Sequence, residues 1–168
     1  MAMRGVHFAI EDRHLDALRA IADEDQLFDY VGEVIEEELF HSGFDAETDK
    51  AWGLIHQTLI QENPCADGLE GRDTPLSQVI MGEESLSDSD WYMINLITSA
   101  AVPSVQEQLE PISRGDFETR LRSLLEIHDC PDIKEVDVDY AGYWFENMKK
   151  VFEAAHRHGR HVIFTVDY

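Results

Sequence analysis

A chain of 168 residues that is 43% hydrophobic and 10% aromatic can bury a core, so its net charge of −22 does not imply disorder. With 13 Lys and Arg against 35 Asp and Glu, it lacks the cations that nucleic-acid phosphates require, and anionic membrane surfaces are disfavoured for the same reason. No apolar run approaches the ~18 residues of a membrane span, and Met1–Ile10 lacks the layout of a signal peptide. Cys65 and Cys130 lie far apart with no second cysteine near either, which favours free thiols in a cytoplasmic protein over a disulfide.

The charge is unevenly placed. Between Ala20 and Ser113, 21 acidic residues face only Lys50 and Arg72, so this stretch holds −19 of the total. Such a surplus opposes compaction by self-repulsion, serves solubility, and attracts basic proteins.

Val6, Phe8 and Ile10 alternate as in a strand. A short helix carrying Leu15, Leu18 and Ile21 follows. A second helix, capped by Asp23 or Asp25, has Phe28, Val31, Ile35 and Leu39 as its apolar stripe and Asp29, Glu33, Glu36 and Glu37 as an acidic face, ending at Ser42-Gly43. A third helix over about 48–61 buries Trp52, Ile55, His56, Leu59 and Ile60. Residues 62–74 hold Pro, Gly, Asn and Asp and read as a long loop.

Pro75–Met81 is a short helix, 82–90 a polar loop, and Trp91–Thr98 a strand. Ser99 and Pro103 open a helix through Val105 and Leu109, and Asp116 caps another carrying Phe117, Leu121, Leu124 and Leu125. A connection over 131–139 leads to the longest helix, about 140–158, which stops at Gly159. The consecutive Val162, Ile163 and Phe164 make 161–168 a central strand covered on both faces. The expectation is one α+β domain over residues 1–168. A small mixed sheet, including the N- and C-terminal strands, is packed by several helices.

Several landmarks together carry a resemblance. Met1, Met3 and Gly5 open the first strand, and Asp49-Lys50-Ala51-Trp52 precedes His56 by one turn. Pro75-Leu76 and Met81-Gly82-Glu83 follow the loop. Tyr143, Phe145, Asn147 and Phe152 mark the last helix before Gly159 and Val162–Phe164. The pattern resembles the YfbM-like family of bacterial proteins, domain of unknown function 1877. Ala2 and Met81 depart from the glycines usual there. The resemblance implies an α+β fold and a soluble bacterial protein, and it transfers no activity.

Trp52 and His56, with Trp144 from the last helix, are the candidate ligand pocket, although a core Trp and a histidine bonded to nearby backbone would explain the first two structurally. Lys50 reads as an ion-pair partner. His156, His158 and His161 lack the i,i+4 spacing of a metal site and suit a helix C-terminus. Asp137 and Asp139 lack a calcium-loop spacing. No phosphate loop, nucleophile elbow, CxxC pair or HExxH motif occurs, so no catalytic residue, metal or cofactor is assigned. The expected function is non-enzymatic binding of a basic protein such as a toxin or effector, in the manner of an immunity protein, through Asp29, Glu33, Glu36 and Glu37. Small-ligand binding or an enzymatic activity at the Trp52, His56 and Trp144 pocket is the alternative.

Overall fold

Hydrophobic side chains on both faces of one strand organise the molecule. The structure, a computed structural model, describes residues 3–66 and 68–167. Met1, Ala2, Asp67 and Tyr168, which figure in the landmarks, loop and last strand expected above, lie outside the described residues. Strand β5 (His161–Asp167) sits at the centre of a five-stranded sheet with β1 (Gly5–Ile10), β2 (Asp45–Asp49), β3 (Glu84–Ser85) and β4 (Tyr92–Ile97), in the order β2-β1-β5-β4-β3. Every pairing is antiparallel, where the sequence suggests a mixed sheet. The architecture is α+β, and the expected central strand is central.

Because side chains alternate along a strand, β5 feeds two cores. Val162, Phe164 and Val166 join Ala9, Ile97, Ile55, Phe117, Phe145 and Phe152 on one face. That face is covered by α4 (Trp52–Ile60), α5 (Pro75–Met81), α6 (Val102–Leu109), α7 (Arg114–His128) and α8 (Glu135–His158). Ile163 joins Phe8, Ile10, Ile94 and Leu96 on the other, beneath α1 (Asp12–Ala20) and the acidic helix. Gly5 stands where a Cβ would come within 2.6 Å of Thr48 Oγ1 and 2.7 Å of the Phe164 ring, so any side chain would displace that hydroxyl and that ring. Gly82, at φ +63, brings its backbone against that of Leu96, with 2.6 Å from an added Cβ to the carbonyl oxygen.

The acidic helix has three parts: α2 (Glu24–Tyr30), a π-helical segment over Val31–Glu36, and α3 (Glu37–Leu39). Asp23 caps its start, its carboxylate accepting the Gln26 N–H at 3.0 Å. Leu27, Val31, Ile35 and Leu39 recur every fourth residue and are all buried. A regular α-helix would turn such a row about 40° further round per step. The wider π turn takes back that rotation and keeps the row on the sheet. Leu27 therefore occupies the buried row, and Phe28 lies half-buried beside it.

Other boundaries move. Residues 45–49, expected to lie in a connection and the start of the third helix, form the edge strand β2, and α4 begins only at Trp52. Glu84–Ser85 adds a short edge strand inside the expected loop. The last helix starts at Glu135, with Lys134 at its cap and Asp137 accepting the Lys134 N–H at 2.7 Å. Ser113 rather than Asp116 caps α7, and Asp116 closes the capping box.

Cys65 and Cys130 are joined in a disulfide, contrary to the expectation of free thiols. The bridge ties the 62–74 loop to the α7–α8 connection, a proximity that sequence separation conceals. Among the described residues, no helix is long and apolar enough to cross a membrane.

His7 is fully buried on β1, where its Nε2–H donates to the Val79 carbonyl at 2.8 Å, one of the open carbonyls ending α5. Burial pulls its pKa down to about 4 against the opposing effect of that bond, and Nδ1 is buried with no partner among the described residues. The folded ring thus resists a proton that the unfolded ring accepts near pH 6.5, so stability is complete above that pH and falls towards pH 4. About 2 kcal/mol should be lost between pH 7 and 5 from this group. Urea unfolding at both pH values should show His7→Gln losing that much less than the parent. The bridge closes a separation of 65 residues. Reduction should lower the unfolding free energy by about 2–4 kcal/mol, an effect absent from the Cys65→Ser, Cys130→Ser double variant.

Candidate functional site

The four-residue repeat that buries Leu27, Val31, Ile35 and Leu39 also organises the rest of the acidic helix. One residue towards the pocket side, Phe28, Gly32, Glu36 and Phe40 line a cavity against the sheet. On the outer side, Asp25, Asp29, Glu33 and Glu37 are exposed. None of these four forms an ion pair among the described residues. Like charges at i,i+4 work against a helix by roughly 0.2–0.5 kcal/mol per pair. Neighbouring Glu38, by contrast, accepts hydrogen bonds from Arg13 and His14, which holds its carboxyl below the usual range.

The expected acidic face is therefore split. Asp29, Glu33 and Glu37 remain outside with Asp25, while Glu36 turns inward. Its floor neighbours are Val6, Tyr92 and Thr165, with Asp167, Glu47 and Arg4 around the cavity of about 310 Å³. Burial first, and Asp167 second, push the Glu36 carboxyl above the usual range. Tyr92 is raised by burial and then by Glu36 and Asp167, so its phenol stays protonated. Phe28 packs edge-on against Tyr92, ring centroids 4.8 Å apart, and Phe40 edge-on against Phe8 at 5.4 Å.

Sequence reasoning missed Gly32, Phe40, Tyr92 and Asp167 as pocket residues. The first two share the four-residue spacing of Phe28 and Glu36, and Asp167 continues the alternation of Ile163 and Thr165. No pattern in the sequence brings Tyr92 to them.

The other candidate residues separate. Trp52 lines a cleft of about 530 Å³ with Leu54, Gln57, Leu69, Met81 and Met93, and its Nε1–H donates to the Met3 carbonyl at 3.1 Å. His56 is buried away from that cleft. Its Nε2–H donates to the Glu70 carbonyl at 2.9 Å, anchoring the 62–74 loop, and burial lowers its pKa. Trp144 does not line the cleft; it packs edge-on against Tyr140 and Tyr143, at 6.2 and 5.0 Å. The three are thus not one pocket, because α4 and α8 present them to different surroundings.

Lys50 is exposed without an ion pair among the described residues; Arg4 instead approaches Asp49 at 3.4 Å, and the Tyr140 hydroxyl donates to Asp49 at 2.6 Å. His161 accepts the Ser99 N–H at Nδ1, 2.8 Å, and donates from Nε2 to Asp12, 2.8 Å. Among the described residues, no group of three or more His, Cys, Asp or Glu is placed to hold a metal ion.

Residues 1–165 match the family described as Domain of unknown function (DUF1877). Among solved structures, the chain is similar to a protein of unknown function, YfbM from Escherichia coli. The TM-score is 0.66 at 18% identity, over 98% of this chain and 99% of that one, a likeness that concerns the fold. None of the curated proteins matches the chain.

Glu36 supplies a stability test of the inward carboxylate. A carboxyl whose folded pKa is raised disfavours the fold when ionised, and the penalty fades as pH falls through that pKa. Glu36→Gln should raise the urea midpoint at pH 7 and by clearly less at pH 4, as read by circular dichroism.

Proposed function

The chain belongs to the DUF1877 family, and from the geometry of its acidic helix we propose that it is a non-enzymatic domain that binds a basic protein, in the manner of an immunity or antitoxin-like inhibitor. The carrying observation is the row Asp25, Asp29, Glu33 and Glu37, exposed and free of ion pairs among the described residues. The row is flanked by Trp91, which is 42% exposed and packs on Phe28 of the same helix at 5.3 Å between centroids. An exposed tryptophan beside a charged row combines the two ingredients of a steered interface: a field that accelerates encounter and an aromatic anchor that holds the partner. The helix is held in place from behind, as Glu24 accepts the Ser87 hydroxyl at 2.8 Å and the Asp88 N–H at 2.9 Å.

Affinity capture at low salt should yield a basic protein, whose binding to this chain is then measured with both components purified. The association rate should fall at least about tenfold between low and physiological salt. The variant D25N/D29N/E33Q/E37Q should associate slowly and with a flattened salt dependence, and Trp91→Ala should mainly speed dissociation. A purified partner that binds parent and quadruple variant alike would remove the row from the interface.

The Trp52 cleft favours the second reading, small-ligand binding, through its volume and its largely apolar lining with Gln57 as a polar group. A metabolite that raises the melting temperature of the parent, but not of Met93→Trp, would establish it.

A further inference from the structure

The cavity under the π-helical segment combines acidic side chains with an aromatic wall. Among the described residues it carries the carboxylates of Glu36, Glu47 and Asp167 against one cation, Arg4, whose Nε is turned to Asp49 at 3.4 Å. Tyr92 is only 4% exposed and lines this cavity, yet its side chain makes no hydrogen bond among the described residues. Its hydroxyl oxygen is not among the buried unpartnered atoms, so it opens into the cavity within electrostatic range of Glu36 and Asp167, where a polar ligand atom can meet it. At Gly32 nothing lies within 4 Å of where a Cβ would stand, so the wall is open at its middle. Phe28 and Phe40 flank that opening, and aromatic rings attract cations as well as alkyl groups.

We propose that this cavity binds an organic cation, a primary ammonium or guanidinium group on a short alkyl chain. The head lies between Glu36 and Asp167 with an N–H donated to the Tyr92 hydroxyl, and the stem runs past Gly32 between Phe28 and Phe40. A bare metal ion fits less well: 310 Å³ with aromatic walls exceeds what an ion fills, and the described residues include no metal-holding group of His, Cys, Asp or Glu. Binding brings an opposite charge between two carboxylates that otherwise repel. The cation can be a free amine or the Lys or Arg side chain of a protein, and this inference stands independently of the outer acidic row.

Titration calorimetry on the full chain tests it with agmatine, n-butylamine and the capped peptide acetyl-Gly-Lys-Gly-amide, using n-butanol as the neutral control. At least one cationic probe should bind with a dissociation constant below about 1 mM, and butanol should not. Binding of the amines alone identifies a free small ligand, and binding of the peptide alone identifies a protein side chain. Glu36→Gln should weaken the bound probe at least tenfold, and Gly32→Leu should block it. Tyr92→Phe should weaken it less. Glu36→Gln removes only a charge, so its result holds even where Gly32→Leu fails to fold. Absence of binding by all three cations, equal binding of butanol, or undiminished binding to Glu36→Gln would each overturn the proposal. The D25N/D29N/E33Q/E37Q variant should bind the probes as the parent does, which separates this pocket from the outer row.

Discussion

Burial of β5 on both faces is the constraint from which the remaining arrangement follows. Val162, Phe164 and Val166 look into one core and Ile163 into the other, so helices must cover both sides of the sheet. Each buried aliphatic or aromatic side chain contributes about 1.5–3 kcal/mol. Five helices cover the first face. Among the described residues the second has only α1 and the acidic helix, which must lie flat on the strands to exclude water. Gly5 shows how tight the central packing is, with no room for a methyl group unless Thr48 and Phe164 move.

That flat seating explains the π-helical segment, and the segment explains the surface. A row of apolar residues every four positions stays on the sheet only where the helix is locally widened. The same widening aligns the rows on either side of it. One becomes the exposed row of Asp25, Asp29, Glu33 and Glu37, and the other the cavity wall of Phe28, Gly32, Glu36 and Phe40. A folding requirement thus produces two distinct acidic environments from one helix, and π segments often accompany functional sites.

The electrostatics follow from burial. The outer carboxylates keep their hydration and act at long range, where salt screens them within about 8–10 Å. Glu36 has lost part of its hydration and faces Asp167, so its ionised form is disfavoured. The basic residues of this region are committed away from the outer row: Arg13 to Glu11 and to Glu38 of the acidic helix, Arg19 to Glu84, Arg160 to Glu11. Among the described residues, Asp25, Asp29, Glu33 and Glu37 are left without an ion-pair partner.

Periodicity by itself determined much of the fold. Alternation marked β1, the apolar run marked β4 and β5, and helical spacing marked most helices, because these patterns reflect which face each element buries. The whole-chain landmarks carried the family, since Gly5 and Gly82 sit where backbone and ring contacts leave no alternative. Only the tertiary structure decided that residues 45–49 pair as an edge strand, since Asp45, Glu47 and Asp49 offer no apolar alternation to read. It likewise decided that Cys65 meets Cys130, and that His56 bonds the loop backbone while Trp52 lines a separate cleft. Composition located the acidity on residues 20–113, and spacing located Asp29, Glu33 and Glu37 on a helix face. That Glu36 leaves this face to join Tyr92 and Asp167 depends on the turn of a helix against the paired ends of β4 and β5. Such contacts join residues remote in sequence, and local pattern carries no record of them.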